Sequence, residues 1–155
     1  DDVDMGPVID LAAAEEVERR VAATIAGGAK CLAGGRRDGT LFAPTVLADV
    51  AVDAPVVADE TFGPVIAIRT FRDPAEAIAE VNASSWGLQA GVFTNDHAVV
   101  KRFTRDLAVG GVMVNEGPDF RAEHVPFGGV KSSGLGREGV RITLREMSET
   151  KVVID

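Results

Sequence analysis

The sequence predicts an α/β fold in which helices flank a mainly parallel β-sheet. Three observations support this: strand-like apolar runs alternate with amphipathic segments, capping residues stand at the helix starts, and glycine or proline clusters separate the elements. Of the 155 residues, 46% are hydrophobic and 26% are charged, which is typical of a folded globular protein.

The first predicted element is a helix that runs from Asp10 to about Ala26. Asp10 is a suitable N-cap, Val17, Val21 and Ile25 recur at four-residue spacing, and two glycines follow the last turn. Two short apolar runs come next, at residues 30–32 and 44–50, with glycine-containing turns between them.

In the middle of the chain, the sequence predicts a strand at residues 64–71 and a helix after it. The strand is rich in β-branched and aromatic side chains. Asp73 can cap the helix, Pro74 suits its first position, and Glu76 stands where a capping box requires an acid. Two apolar side chains of this helix are expected to face inward, Ile78 and Val81.

The alternation of strand and helix continues toward the C-terminus. We expect a strand at 89–94, a helix at 98–107, a strand at 111–115 and a short helix at 140–147. The long segment 116–136 is rich in glycine, proline and charge, and loops of this length in compact domains are commonly functional.

The last expected element is a strand at residues 151–154. Its apolar side chains would be a liability on an uncovered edge, so we expect it to pair with another domain or another subunit. The alternative is an ordinary edge strand in the chain's own sheet.

Composition excludes several classes of function. The formal charge of −8 and the scattered lysines and arginines do not suit nucleic-acid binding. No apolar run reaches the length of a membrane span, and no signal peptide is visible, so a cytoplasmic protein is expected. One cysteine and two histidines provide neither a disulfide nor a metal site.

Residues 134–139 match the dinucleotide-binding pattern G-x-G-x-x-G letter for letter. A Rossmann motif follows a strand and needs an acidic residue about twenty positions later, whereas here a loop precedes and the chain soon ends. We therefore interpret these glycines as a glycine-rich turn that lets the backbone pack closely.

Cys31 and His124 are the obvious nucleophilic and basic candidates, and neither is predicted to be catalytic. Cys31 has no histidine or acid near it in sequence, and a free cysteine is more commonly a small core residue. His124 lies near acids and serines, but a catalytic triad is defined by geometry, so a solvated histidine is expected.

The segment 60–64, Glu-Thr-Phe-Gly-Pro, is more specific. It places Glu60 and Phe62 directly before a buried strand. A carboxylate can accept hydrogen bonds from ribose hydroxyls, and an aromatic ring can pack on a nicotinamide. A helix end followed by a turn would produce similar letters.

Taken together, the motifs resemble those of the aldehyde dehydrogenase superfamily, and they occur in its order and approximate spacing. The resemblance covers essentially the whole chain. The matching segments are 4–9 (D-x-G-P-x-I), 42–47 (F-x-P-T-V-L), 60–64 (E-x-F-G-P), 86–94 (Y-G-L-x-x-x-V-F-T, with tryptophan first here), 114–115 (V-N) and 126–134 (P-F-G-G-x-K-x-S-G).

The resemblance implies an NAD- or NADP-dependent oxidation of an aldehyde by covalent cysteine catalysis. Glu60 would bind the nicotinamide ribose, Phe62 would help to hold the nicotinamide ring, and Phe127 would approach the substrate tunnel. The nucleophile, general base and Rossmann domain would lie upstream. We therefore expect no catalytic residue in this chain and no activity from it alone.

The resemblance also divides the chain and suggests its assembly. Residues 1–148 would form part of a catalytic domain, and residues 149–155 would form a C-terminal strand for homo-oligomerisation. The chain begins with aspartate rather than methionine, which suggests a missing upstream part.

Arg121 suggests the substrate class. Counted back from Pro126 and Phe127, it falls where relatives acting on apolar aldehydes carry an aromatic tunnel residue. A guanidinium there suits a carboxylate, phosphate or phosphonate head group. The segment resembles those acting on lactaldehyde, phosphonoacetaldehyde or phosphorylated glyceraldehyde, so we expect a small polar or anionic aldehyde.

Two alternatives remain open. Arg121 could instead pair with Glu123 or Asp119 on the surface. The chain as a whole could be a non-catalytic module derived from the same fold, serving ligand binding or assembly.

Overall fold

The computed structural model describes residues 4–155. The chain forms two compact units, one ending at Phe71 and the other running from Arg72 to Asp155. The α/β class is confirmed, because helices and strands alternate in both units. The expected division between residues 148 and 149 remains a prediction.

The first unit is built around helix α1 and a three-stranded sheet. The sheet order is β1-β4-β5, and a separate pair, β2 and β3, is antiparallel. The elements are α1 (Leu11–Ala26), β1 (Lys30–Ala33), β2 (Arg37–Asp38), β3 (Leu41–Phe42), β4 (Thr45–Ala48), α2 (Pro55–Ala58) and β5 (Val65–Ile68).

The expectation of a mainly parallel sheet is only partly right in this unit. β4 and β5 are parallel, because the segment that contains α2 provides the crossover between them. β1 and β4 are antiparallel, contrary to expectation. Between these two strands the chain makes glycine-containing turns and the β2–β3 pair, which return it in the opposite direction.

Helix α1 forms as its sequence predicts. The side chain of Asp10 accepts a hydrogen bond from the Ala13 N–H at 2.8 Å, which satisfies one of the helix's free donors. Val17 and Val21 are buried and pack in a core with Phe42 and Leu47.

The second unit contains two parallel strands connected through a helix. β6 pairs with β7 in parallel, and α4 provides the right length of crossover between them. Its elements are α3 (Pro74–Ala83), β6 (Gln89–Val92), α4 (His97–Asp106), β7 (Gly111–Val114), a 3₁₀ turn (Lys131–Ser133) and α5 (Val140–Glu146).

Helix α3 confirms the predicted cap but not the whole predicted inner face. Asp73 accepts from the Ala75 N–H at 2.6 Å, while Glu76 accepts from Arg72, one residue before the cap. Ile78 is buried with Phe103, as expected. Val81 comes three residues after Ile78, which is less than one helical turn. It therefore lies to one side of Ile78 on the helix surface and is 37% exposed.

The expected terminal strand is absent from the part of the chain that the structure describes. Residues 149–155 carry no strand, and Val152, Val153 and Ile154 are 77%, 80% and 93% exposed. The alternative of an ordinary edge strand in the chain's own sheet is therefore wrong. Pairing with another domain or subunit stays a prediction.

Candidate functional site

The Glu60–Pro64 turn, residues 60–64, leads directly into β5. The carbonyl of Pro64 accepts from the Thr45 N–H at 2.8 Å, which ties the turn to β4. A Cβ on Gly63 would lie 2.6 Å from Cγ2 of Val17, a buried residue of α1. Glycine at this position therefore lets the turn approach the helix closely.

Arg20 of α1 fixes the start of this turn. Its Nη1 donates to the backbone carbonyl of Glu60 at 2.9 Å, and its Nε donates to Glu16 at 2.6 Å. Hydrogen bonds from Arg19, and next from Arg20, lower the pKa of the Glu16 carboxyl from 4.5 to about 2. The ionised Glu16 thus holds Arg20 in position to bind the turn.

The two predicted cofactor-binding side chains of the turn are presented outward. Phe62 is 81% exposed, and the exposed carboxylate of Glu60 has no hydrogen-bond or ion-pair partner within residues 4–155. A fixed backbone with a free acceptor and a free ring fits the nicotinamide riboside end of NAD or NADP.

Arg121 and Phe127, the two predicted substrate-binding residues, lie together in the second unit. The guanidinium carbon of Arg121 is 4.5 Å from the centre of the Phe127 ring. Nη2 of Arg121 donates to Glu138 at 2.9 Å. The alternative of a surface ion pair was right in kind, but the partner is Glu138 rather than Glu123 or Asp119.

The backbone explains why Glu138 is the partner. Phe127 and Glu138 form an isolated antiparallel bridge with two backbone hydrogen bonds. This bridge sets the Glu138 carboxylate beside the ring on which Arg121 stacks. Seventeen positions separate Arg121 from Glu138, so sequence proximity gave no signal for the pair.

A small cavity of about 40 Å³ lies beside Arg121 and Phe127. Gln89 of β6 forms part of its wall, and its Nε2 donates to the carbonyls of Pro118 and Phe120. The loop is thereby fastened to the strand. The other lining residues are Met113, Phe120, Ala122, Val125 and Pro126.

Three polar residues fix the loops. Asn115 and Lys131 belong to motifs that carry the family resemblance, but no role was predicted for them, and Asn82 was not noted in the sequence. Asn115 accepts from the N–H of Thr94 at 2.8 Å and donates to its carbonyl at 3.1 Å, so it joins the ends of β6 and β7. Asn82 bonds the backbone after α4 in the same two-sided way. Lys131 donates to four carbonyl oxygens.

The glycines at 134, 136 and 139 lie in a bent segment and not in a dinucleotide loop, as predicted. The predicted close packing is wrong, because a Cβ on Gly134 would meet no atom within 4 Å, and those on Gly136 and Gly139 would meet none closer than 3.6 Å. Each has a positive φ, at 132°, 70° and 137°. A 3₁₀ turn rather than a strand precedes them, and α5 after them has only seven residues. The structural context of a Rossmann motif is therefore missing.

Cys31 is exposed, so its expected role as a core residue is wrong. All four residues of β1 are exposed, because this strand lies at the edge of its sheet. His124 is also exposed and has no hydrogen-bond or ion-pair partner in the described residues, so no triad forms around it. In that same range no group of acidic, histidine or cysteine side chains could bind a metal.

The chain belongs to the aldehyde dehydrogenase family, whose sequence pattern matches residues 1–153. It is similar to 3-sulfolactaldehyde dehydrogenase of Priestia aryabhattai, with 43% identity over 97% of this chain and 32% of that protein. The chain thus spans about a third of this relative's length. Within residues 4–155, no helix is long and apolar enough to cross a membrane.

Two solved structures share this fold. Aldehyde dehydrogenase 21 of Physcomitrella patens, in complex with the reaction product succinate, matches with a TM-score of 0.94 and 40% identity. Glyceraldehyde-3-phosphate dehydrogenase of Methanocaldococcus jannaschii, complexed with NADP, matches with a TM-score of 0.89 and 45% identity. These matches cover 98% and 95% of this chain and 32% of each of those chains.

Proposed function

We propose that this chain is the C-terminal part of an NAD(P)-dependent enzyme that oxidises a small polar or anionic aldehyde to a carboxylic acid. The observation that carries the proposal is the outward presentation of Glu60 and Phe62 on a turn that Arg20 fixes. Family membership supplies the reaction class.

Glu60 and Phe62 would bind the cofactor without taking part in bond making. The Glu60 carboxylate would accept hydrogen bonds from the ribose hydroxyls, and the Phe62 ring would pack against the nicotinamide. The bound cofactor supplies a hydride acceptor. Because these residues reach only one end of a dinucleotide, the choice between NAD and NADP lies elsewhere.

The nucleophile would come from outside this chain. The overall reaction converts an aldehyde, water and NAD(P)⁺ into a carboxylic acid, NAD(P)H and a proton. The cysteine would attack the carbonyl carbon as a thiolate, the bound cofactor would supply the hydride acceptor, and water would hydrolyse the resulting thioester. Cys31 lies on an edge strand, and its Sγ donates to the backbone carbonyl of Ala33 at 3.3 Å rather than to a basic side chain.

The decisive assay compares the purified 155-residue chain with the longer polypeptide to which it would belong. The longer polypeptide should form NAD(P)H when an anionic aldehyde is added. The chain alone should form none, and measurable turnover by it would overturn the assignment of the nucleophile. A reading frame that opens just before Asp1 would favour a non-catalytic module.

We also propose that Arg121 selects substrates with an anionic head group. One N–H of its guanidinium bonds Glu138, and its remaining donors stay available beside the cavity. Three of the similar proteins support this class, because sulfolactaldehyde, succinate and glyceraldehyde 3-phosphate all carry an anionic group. Other similar proteins are lactaldehyde dehydrogenases, which are named for a neutral polar aldehyde.

The test compares Arg121→Leu with Arg141→Leu, a change at an exposed arginine of α5, in the longer polypeptide. Loss of a charged hydrogen bond should lower kcat/KM for an anionic aldehyde by about tenfold or more in Arg121→Leu only. Values for a neutral aldehyde should stay unchanged. If Arg121→Leu keeps its preference for anionic substrates, Arg121 serves only to pair with Glu138.

The C-terminal segment, residues 149–155, is proposed to mediate homo-oligomerisation. Three consecutive apolar side chains there are exposed, which is costly unless another surface covers them. Deletion of residues 149–155 should lower the molar mass of the oligomer measured by light scattering, because fewer subunits would associate. An unchanged mass would exclude this segment as the main contact between subunits.

A further inference from the structure

Lys131 is the most highly connected polar side chain in the described part of the second unit. Its Nζ lies 2.9 Å from the carbonyl oxygen of Ser84, 3.1 Å from that of Asn82, 3.2 Å from that of Trp86 and 3.4 Å from that of Val81. Two of these carbonyls, those of Val81 and Asn82, belong to the last turn of α3, where most carbonyls lack an i+4 partner; that of Val81 also accepts from the Ser84 N–H at 3.3 Å. A cation is favoured there by the helix dipole as well.

The backbone around Lys131 is joined to the same region. The N–H groups of Val130 and Ser132 donate to the carbonyls of Gly87 and Ser85, each at 3.0 Å. In return, the Gly87 N–H donates to the Ser133 hydroxyl at 2.9 Å. Residues 130–133, the anchor segment, are thus bonded to the connection between α3 and β6.

The anchor segment begins three residues after Phe127. Between them, Gly128 packs so closely on Gly110 that a Cβ on Gly110 would overlap the Gly128 carbonyl oxygen. The backbone from Phe127 to Ser133 is therefore held on one side by Gly110, which directly precedes β7, and on the other by Lys131. The position of the Phe127 ring, and of Arg121 stacked on it, depends on both contacts.

Lys131 also adopts a conformation that is costly without compensation. Its φ is 55°, in the left-handed region that residues with a Cβ rarely occupy. This conformation turns the chain into the 3₁₀ segment that carries Ser133. The hydrogen bonds of the ammonium group offset the strain.

We propose that Lys131 is a positioning residue that fixes the wall formed by Phe127 and Arg121. Its relevance to substrate binding rests on the function proposed above, whereas its anchoring role does not. The ammonium acts through the backbone, since its four acceptors are carbonyl oxygens of residues outside the wall. Removing it should loosen the wall without removing any group that contacts a substrate.

The first experiment measures amide hydrogen exchange in the 155-residue chain and in Lys131→Met. Loss of the anchoring bonds should speed exchange at Gly87, Val130 and Ser132 by about tenfold, while α1 of the first unit stays protected. Lys101→Met, at an exposed position of α4, is the matched control and should change none of these rates. Unchanged exchange in Lys131→Met would overturn the proposal.

Lys131→Gln keeps a donor at this position and guards against a Met variant that does not fold. It should exchange at rates between those of the wild type and Lys131→Met. Rates in Lys131→Gln equal to those of the wild type would mean that the charge is not needed, contrary to the proposal.

The second experiment separates positioning from general destabilisation in the longer polypeptide. A loosened wall should raise KM for the aldehyde by about tenfold and leave kcat nearly unchanged, whereas partial unfolding lowers the active fraction and leaves KM alone. Faster exchange with an unaltered KM would refute the link to substrate binding. An inactive wild type would instead refute the proposed function and leave the exchange result standing.

Discussion

Arg20 donates a hydrogen bond from Nη1 to the backbone carbonyl of Glu60 at 2.9 Å, across 40 residues of sequence. The same guanidinium bonds Glu16 one turn earlier on α1. The side chain of Arg20 is only 17% exposed, whereas that of Arg19, which also bonds Glu16, is 63% exposed. Of these two adjacent arginines, only Arg20 connects the helix to the Glu60–Pro64 turn.

Arg20→Met is expected to weaken cofactor binding more than it weakens the fold. It keeps an unbranched apolar stem and removes the bonds to Glu16 and Glu60, so the turn loses one support, worth about 1 kcal/mol. In the longer polypeptide, KM for NAD(P) should rise several-fold. Arg19→Met is the control, because it removes two hydrogen bonds to Glu16 but none to Glu60. Equal effects of the two variants would contradict the prediction.

Gly63→Ala should destabilise the first unit. The added methyl would lie 2.6 Å from Cγ2 of Val17, and a buried β-branched side chain has little freedom to move away. The expected loss in the free energy of unfolding is about 1–3 kcal/mol, measured by denaturant titration.

Gly6→Ala provides the matched comparison, since a Cβ on Gly6 would have no atom within 4 Å. Its stability should stay within about 0.5 kcal/mol of the wild type. Similar stabilities for Gly63→Ala and Gly6→Ala would show that the turn can move away from α1.

Gly110→Ala is the corresponding change in the second unit. A Cβ there would overlap the carbonyl oxygen of Gly128, and a backbone atom cannot rotate away as a side chain can. A protease should cleave the variant within residues 116–136 at a lower denaturant concentration than it cleaves the wild type. Unaltered cleavage would mean that Gly128 does not constrain this loop.

The ion pairs of Glu16 should make stability depend on pH at acid values. The pKa of Glu16 is lowered from 4.5 to about 2 by Arg19 and Arg20, so its contribution is fully present above pH 4.5 and is lost as the pH falls through about 2. Glu16→Gln should therefore be less stable than the wild type at neutral pH. The difference between the two should shrink as the pH is lowered through this window.

Urea unfolding of both proteins at about pH 6 and about pH 3 provides the measurement. Glu15→Gln, at an exposed neighbouring position of α1, should follow the wild type at both values. A difference between wild type and Glu16→Gln that stays constant with pH would show that these ion pairs do not stabilise the fold.

Local signals in the sequence predicted much of the fold correctly. Asp10, Asp73 and Asp96 are observed as N-caps, and the first two were predicted because a short polar side chain before an apolar period is a strong local signal. The antiparallel direction of β1 was not predicted, and the expected pairing of residues 151–154 with another domain or subunit stays a prediction. Both depend on which other strand is available, and no local pattern encodes that.

The candidate site shows the same limit. Glu60, Phe62, Arg121 and Phe127 were identified through a family resemblance, and their assigned roles stay predictions. The residues that hold them, Arg20, Glu138 and Lys131, were not identified. Each acts on a backbone or side chain at least 17 positions away. Such a long-range bond produces no periodicity or fixed spacing in the sequence from which it could be predicted.

The sequence by itself determined the class of fold, the helix starts and the family, because these depend on hydrophobic period, capping chemistry and motif order. Only the tertiary structure decided which groups are free to bind and which are occupied. Glu60 is left free, while Arg121 is bonded to Glu138 through a carboxylate that the bridge at Phe127 places beside it. Such pairing follows from the path of the folded backbone, which brings together groups that are distant along the chain.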